Sequence, residues 1–257
     1  MQAMDLRRAG TRGAQHADWL DARFSFAFGD YRDPARMGFG VLRVLNDDRI
    51  QPGAGFPMHP HRDMEILMLP LSGAIAHADS LGNSLVVQPD DVLLMSAGAG
   101  IRHSQMNALP DAVDHHLQLW LLPRRRGTAP RIEHRRFDPA ARRGRWQLIA
   151  SPDGADGSLC IDQDARVWRA ALPPRSVLSF VPEPGRSAYL HVATGHVGLA
   201  TQAPGPGPAV ALEAGDAVAW REAARFELGT AHDGTSELLL FDLPALTDDG
   251  LGLSGGR

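Results

Sequence analysis

Two histidines, His59 and His61, stand one residue apart in the stretch GFPMHPHRDMEILMLPLSG, residues 55 to 73. If that segment is extended, side chains repeat with period two, so both imidazoles project from one face and could touch one atom. Glu65 follows on the next apolar run. Further along, after an acidic turn at Pro89-Asp90-Asp91 and the run VLLMSAG, the stretch AGIRHSQMN carries His103, Gln105 and Asn107. In an antiparallel barrel the strand holding His103 can return beside the one holding His61, which closes a three-imidazole site. Neutral imidazole suits iron, copper, nickel, zinc and cobalt. Three imidazoles with coordination positions left open form a substrate-activating centre, not a closed structural one. A lone pair of alternating histidines is more often a coincidence of loop surface. The strand, hairpin, acidic turn, strand and third histidine that follow make the metal reading the stronger one.

The elements that must position these residues are short and β-rich. Runs such as FGVLRVL, MEILMLPL, AIAHAD, DVLLMSA, HHLQLWLLP, VWRAAL, AYLHVAT and ELLLFDLP are cut by Gly, Pro, Asn and Asp turns. That is the pattern of a sandwich or barrel, not of alternating strands and helices. HADWLDARFSF, near the start, is where a turn or two of helix is expected. The order strand, Gly turn, strand, hairpin, strand, acidic turn, strand occurs in residues 67 to 98 and again in 189 to 220. Gly73 answers to Gly195, and Asp91 to Asp216. This is an internal duplication with its junction near residues 138 to 150. The expected fold class is all-β, two tandem antiparallel β-barrels. Residues 1–145 form the metal-binding barrel, 146–246 the second barrel, and 247–257 a flexible Gly-rich tail. Counting from the Gly and Asp landmarks puts Val181, Glu183 and Leu228 where the first half has His59, His61 and His103. The second barrel therefore lacks the ligands, and the fold does not demand them. His191, His196 and His232 are expected at strand edges or in loops.

Composition narrows the classes further. A chain of 257 residues with 44% hydrophobic and 22% charged residues is globular and long enough to bury a core in each half. A net charge of -4 gives no general pull toward nucleic acid or anionic lipid. Arg supplies the cationic side chains, and the blocks Arg124-Arg125-Arg126 and Arg142-Arg143 read as solvated loop surface. Cys160 is the single cysteine, so no intramolecular disulfide can form, and a packing thiol is expected there. No apolar run reaches bilayer-spanning length, and the first twenty residues carry no secretory pattern. The expectation is a cytoplasmic protein without a direct nucleic-acid or membrane partner.

The stretches FSFAFGDYRDPARMGFGVLRVLNDD, GFPMHPHRDMEILMLPLSGAIAHADSLGN and MSAGAGIRHSQMN resemble the pirin branch of the cupin superfamily. They are similar especially to bacterial pirins described as quercetin 2,3-dioxygenases. The resemblance covers nearly the whole chain, with its most specific motifs in residues 19 to 125. It implies a bicupin, two double-stranded β-helix or jelly-roll barrels, whose N-terminal barrel holds one divalent metal ion. Iron(II) is the first choice, with nickel, copper, manganese, cobalt and zinc as alternatives. The resemblance also makes His59, His61 and His103 metal ligands and adds a fourth, a Glu two residues after the third histidine, in the motif HSE. This chain departs there, with Gln105 after Ser104. A carboxamide offers a neutral oxygen, so Gln105 is a weaker ligand and cannot accept a proton from substrate. Glu65 is the candidate to step in as ligand or catalytic base; the alternative is that it hydrogen-bonds a ligand imidazole or Arg102. The implied activity is opening of the flavonol heterocycle with O2, on a small phenolic substrate. Phe56, Met58, Met64 and Met106 are candidates for the mouth of the site, and Met68 for its core. The alternative is a non-catalytic metal-binding regulator or redox sensor with a protein partner, favoured if Gln105 disables catalysis.

Overall fold

The computed structural model describes residues 4–201, 209–230 and 232–246, so the tail expected over 247–257 lies outside the described residues. The strands, in chain order, begin with β1 (Met4–Arg7), β2 (Gly13–Ala17), β3 (Leu20–Phe24), β4 (Leu42–Ile50), β5 (Gly55–His61) and β6 (Glu65–Ser72). They continue with β7 (Ile75–Asp79), β8 (Ser84–Val87), β9 (Asp91–Ser96), β10 (Ile101–Asn107), β11 (Asp114–Leu121) and β12 (Arg131–Arg136). Then come β13 (Gln147–Ser151), β14 (Leu159–Cys160), β15 (Arg166–Leu172), β16 (Val177–Phe180) and β17 (Ser187–Thr194). The last are β18 (His196–Thr201), β19 (Val210–Glu213), β20 (Ala217–Trp220), β21 (Phe226–Gly229) and β22 (Ser236–Leu243). Short 3-10 turns are the helical elements among the described residues, and no helix is long and apolar enough to cross a membrane.

The stretch expected to hold a turn of helix is instead the hairpin β2–β3. Leu20, Ala22 and Phe24 are buried and alternate with half-buried neighbours, and they pack with Ile50. Their period of two fits a strand, and it outweighs the local helix-forming residues.

The chain divides into two compact units. The N-terminal unit comprises Arg12–Phe137 with Leu159–Gln163; the C-terminal unit takes the residues up to Thr11, Asp138–Ser158 and those from Asp164 onward. The units thus interleave in sequence, where chain order alone suggested a single cut near residue 145. β1 belongs with the C-terminal unit, where it pairs with β20.

Each unit is a pair of antiparallel sheets, a jelly roll in which the sheets stay separate rather than closing into one barrel. In the N-terminal unit the sheets run β12-β9-β6-β11-β4-β3-β2 and β5-β10-β7-β8. In the C-terminal unit the orders β1-β20-β17-β22-β15-β13 and β16-β21-β18-β19 repeat that plan. The landmarks repeat as well. Gly73 and Gly195 have φ of 79° and 81°, and a Cβ there would lie 2.6 Å from the Val113 carbonyl oxygen and 2.4 Å from the Ser236 hydroxyl. Only glycine fits such a turn without strain. At the acidic turns the Asp91 carboxylate accepts from the Gln88 N–H at 2.9 Å, and the Asp216 carboxylate from the Glu213 N–H at 3.2 Å.

Strand register corrects the counting made from sequence. His77 and Leu199 both stand four residues after the turn glycine; Gln105 pairs with His77, and Leu228 with Leu199. Leu228 therefore matches Gln105. Phe226 matches His103, and Phe180, its cross-strand partner, matches His59. The shift arises because His103 stands twelve residues after Asp91, whereas Phe226 stands ten after Asp216.

Two further expectations change. Arg142 is buried and pairs with Glu237 at 3.4 Å, unlike the exposed Arg143, because its side chain covers the charged end of β22. His191 is buried in the middle of β17 rather than lying at an edge. His196 is exposed and His232 lies outside the strands, as expected of them. Arg124, Arg125 and Arg126 are exposed, and Cys160 is a half-buried thiol.

Candidate metal centre

The histidines on β5 and β10 meet because the two strands are antiparallel neighbours. His103 stands directly opposite His59, and Ile101 opposite His61. A register shift between His103 and Gln105 absorbs the Pro57 region of β5. One ligand atom from each of His59, His61 and His103 lies within 4.8 Å of the other two. The ring centroids are 4.4 Å apart for His59 and His103, 4.8 Å for His59 and His61, and 4.9 Å for His61 and His103.

The surrounding bonds fix which nitrogen faces inward. Asp79 accepts from the N–H groups of Leu81 and Asn83, and it can only accept from Nε2 of His77 at 3.0 Å. Nδ1 of His77 is then an acceptor, so Nδ1 of His103, 3.4 Å away, is the donor. That leaves the lone pair of His103 on Nε2, an atom buried without a hydrogen-bond partner. His59 donates from Nδ1 to the Pro57 carbonyl at 2.8 Å, which leaves the lone pair on Nε2 of a half-buried ring. Nε2 of His61 is also buried and unpartnered. A buried polar atom without a partner is costly. Two such nitrogens, with Nε2 of the half-buried His59 beside them, suit a divalent ion, and Asp79 and His77 set the ligand tautomer of His103 from behind.

Electrostatics agrees. Burial first, and the neighbouring His59 second, bring the pKa of His61 down to about 4. Burial and the nearby His59, His61 and His77 bring His103 down to about 2, with Asp79 working against them. Neutral imidazoles are the form that binds metal.

The structure does not bring Glu65 to this cluster. It lies on β6 next to Ile66, whose side chain, with that of Met68, fills the core. Alternation along the strand sends Glu65 to the other face. There it accepts from the Ser96 hydroxyl at 2.6 Å, and its pKa is raised, by burial above all, against the pull of Ser96 and Arg131. Its partner is neither an imidazole nor Arg102. Gln105 is buried on the triad's strand, but both atoms of its amide are engaged elsewhere: its oxygen accepts from Gln118 at 2.7 Å and its nitrogen meets Nε2 of His116. Of the mouth candidates, Met58 is exposed, Phe56 contacts the His59 ring at 6.3 Å, and Met64 packs on the core that contains Met68.

The sequence reading missed a buried polar set behind the triad. Nδ1 of His116 bonds Asp114 at 2.7 Å, with Asp48 3.7 Å from its Nε2, and the Trp120 ring lies 4.8 Å from His61. Burial disfavours the charged form of His116, but Asp114, Asp48 and Asp47 outweigh it and raise its pKa. Burial raises Asp48 to about 6, with His116 opposing and Asp47 and Asp114 adding to it. The signal was present in the strand DHHLQLW, where Asp114, His116, Gln118 and Trp120 occupy every second position.

A shallow cavity of about 400 Å³ lies beside His61, bordered by Arg62, Ser80 and Arg102. Neither arginine forms an ion pair with a described residue. A larger hollow of about 840 Å³, bordered by His196 and His232, lies in the C-terminal unit and contains no three-ligand cluster among the described residues. Donor chemistry, not size, singles out the smaller one.

Two jelly rolls in tandem, with a three-imidazole cluster in the first, define a bicupin. The pirin family model matches residues 6–121, and that of a quercetinase C-terminal cupin domain matches 148–243. The chain belongs to the pirin family. It is 42% identical over 241 residues to the quercetin 2,3-dioxygenase of Escherichia coli O157:H7, covering 93% of this chain and 98% of that one. A pirin-like protein of Caulobacter vibrioides is 43% identical over 187 residues, 72% of this chain and 79% of its own. Among solved structures, the bacterial pirin YhhW from Escherichia coli in complex with nickel(II) superposes with a TM-score of 0.85 at 39% identity, covering 95% of this chain and 100% of that one.

Proposed function

We propose that His59, His61 and His103 hold one divalent metal ion and that the protein is a dioxygenase of the quercetin 2,3-dioxygenase type. The observation that carries this reading is the convergence of three imidazoles at one point, two of them with a buried, unpartnered Nε2. The relatives named quercetin 2,3-dioxygenase and the nickel-bound pirin YhhW support it. When bound, the ion would act as a Lewis acid that brings an electron-rich enolate and O2 together. Iron(II) is the first ion to test.

The chain's own residues would do the rest. Among the described residues no carboxylate stands in the ligand cluster to take the flavonol proton. Arg62 and Arg102, cationic and without an ion pair to a described residue, border the cavity at His61 and favour a substrate that arrives as its anion. Trp120, edge-on to His61, and Phe56, near His59, supply apolar walls for an aromatic ring. The metal content of the protein, with oxygen uptake and loss of quercetin absorbance, tests the proposal. One ion per chain with oxygen consumption is expected. Metal-replete protein that neither consumes oxygen nor bleaches quercetin would overturn the dioxygenase reading. It would favour a metal-binding regulator with a protein partner, to which the carboxamide at position 105 already points.

A further inference from the structure

Trp120 has an indole N–H that can donate but not accept. It donates to the side-chain oxygen of Gln118 at 2.8 Å, so Gln118 must turn its NH2 group the other way. That group donates to the oxygen of Gln105 at 2.7 Å, which in turn aims the Gln105 NH2 group at Nε2 of His116. His116 accepts there and carries its proton on Nδ1, which donates to the Asp114 carboxylate at 2.7 Å. The chain starts on a group that only donates and ends on one that only accepts, so each amide has one satisfying orientation. The carboxylates favour a second proton on His116, but on Nε2 it would face the NH2 of Gln105; the neutral ring fits the geometry. All the intermediate atoms are buried, and the register puts Leu240, Leu228, Leu238 and Ser236 at the matching places in the C-terminal unit.

We propose that Gln105 is a positioning residue, the middle link of this one-way chain, which holds Trp120 edge-on against His61, and that it is not a ligand of the metal. Turning its amide toward a cation would strand a buried donor on Gln118 and a lone pair on His116. The metal would then have three neutral ligands from the protein, and its charge would be balanced by an anionic substrate. The inference rests on the metal reading of the triad for one of its two measurements.

The experiment compares wild type with Gln105→Met, Gln118→Met and Trp120→Phe, by cobalt(II) titration followed in the visible spectrum and by the exchange rate of the Trp120 indole N–H in NMR. Both glutamine variants are expected to speed that exchange roughly tenfold and to weaken cobalt binding by a similar factor, with the shape of the cobalt spectrum unchanged. The proposal is overturned if Gln105→Met alone reshapes the cobalt spectrum, or if Gln118→Met leaves the indole exchange unaltered. Should a glutamine variant fail to fold, Trp120→Phe with and without Gln105→Asn, whose shorter amide breaks the link to Gln118, replaces it. Linked residues give non-additive losses of cobalt affinity, and strictly additive ones refute the chain. Neither readout needs turnover, so failure here is separate from failure of the dioxygenase reading. Loss of all cobalt binding in wild type would sink the metal reading, while indole exchange would still test the chain.

Discussion

The two units share strand order, turn glycine and acidic turn, yet their interiors are built from different chemistry. In the N-terminal unit the inner positions hold Asn46, Asp48, His77, His103, Gln105, His116 and Gln118, all buried. Strand register places Trp168, Ala170, Leu199, Phe226, Leu228, Leu238 and Leu240 at the corresponding positions of the C-terminal unit. There Phe226 stacks on Trp220 with centroids 5.0 Å apart and meets Phe180 at 5.7 Å, so aromatic rings fill the volume that imidazoles occupy in the other unit. A buried polar group costs free energy even when bonded, and more when it is not. The C-terminal unit shows that this fold is complete with an apolar filling. The polar filling of the N-terminal unit is therefore explained by what it holds, not by the fold.

The sharpest way to break that contrast is to remove a ligand. His103→Ala is expected to lower metal retention by roughly a hundredfold or more, read by elemental analysis after dialysis against a chelator, because a three-ligand site loses a third of its donors. Phe226→His should create no second site, since one imidazole among aromatic rings has no partners. An effect of intermediate size comes from copying the C-terminal filling into the N-terminal unit. Asp48→Ala, Asp114→Ser, His116→Leu, Gln105→Leu and Gln118→Leu together should leave thermal stability equal or raise it by about 1–4 kcal/mol. Asp114→Ala alone should cost about 3 kcal/mol, because it leaves His116 buried without its acceptor. A combined variant that melts well below wild type would show that the polar set supports the fold after all. A smaller effect is expected from Gln105→Glu. The carboxylate has no proton to give His116 and is free to face the ion, so metal retention against a chelator should rise about tenfold.

The three imidazoles were legible because alternation along a strand and one hairpin repeat are enough to bring them together. The duplication was legible for the same reason: Gly73 and Gly195 need a left-handed turn that few other residues can make. Exact correspondence between the halves was not. A connection shorter by two residues moves the match for His103 from Leu228 to Phe226, and nothing local in the sequence marks where residues are lost. Glu65 was misjudged because nearness in sequence does not say which face of β6 a side chain takes; its neighbours Ile66 and Met68 own the inner one. The hairpin at Leu20, Ala22 and Phe24 was hidden behind a few helix-compatible residues. The polar chain through His116 was readable in the period-two pattern of DHHLQLW, but its direction depends on Gln118 and Gln105 lying side by side, which only tertiary pairing decides.

The smallest effect concerns pH, and its sign follows from the triad. In the metal-free protein His61 has its pKa lowered from the ordinary value to about 4, by burial first. Unfolded, it takes up a proton as pH falls through about 6.5, whereas folded it resists until about 4, so acidification across that window favours unfolding. Asp48, raised to about 6, acts the other way, because the folded form keeps a proton that the unfolded form loses. The two oppose each other in the whole-protein curve, and a difference between variants separates them. Between pH 6.5 and 4 the metal-free wild type should lose on the order of 1 kcal/mol more stability in urea than His61→Gln, a figure reduced for the solvent exposure of the ring. His103, shifted further in the same direction, leaves a residual slope in the variant. Parallel curves for the two proteins would mean that the His61 ring stays solvated and does not share the buried point with His59 and His103.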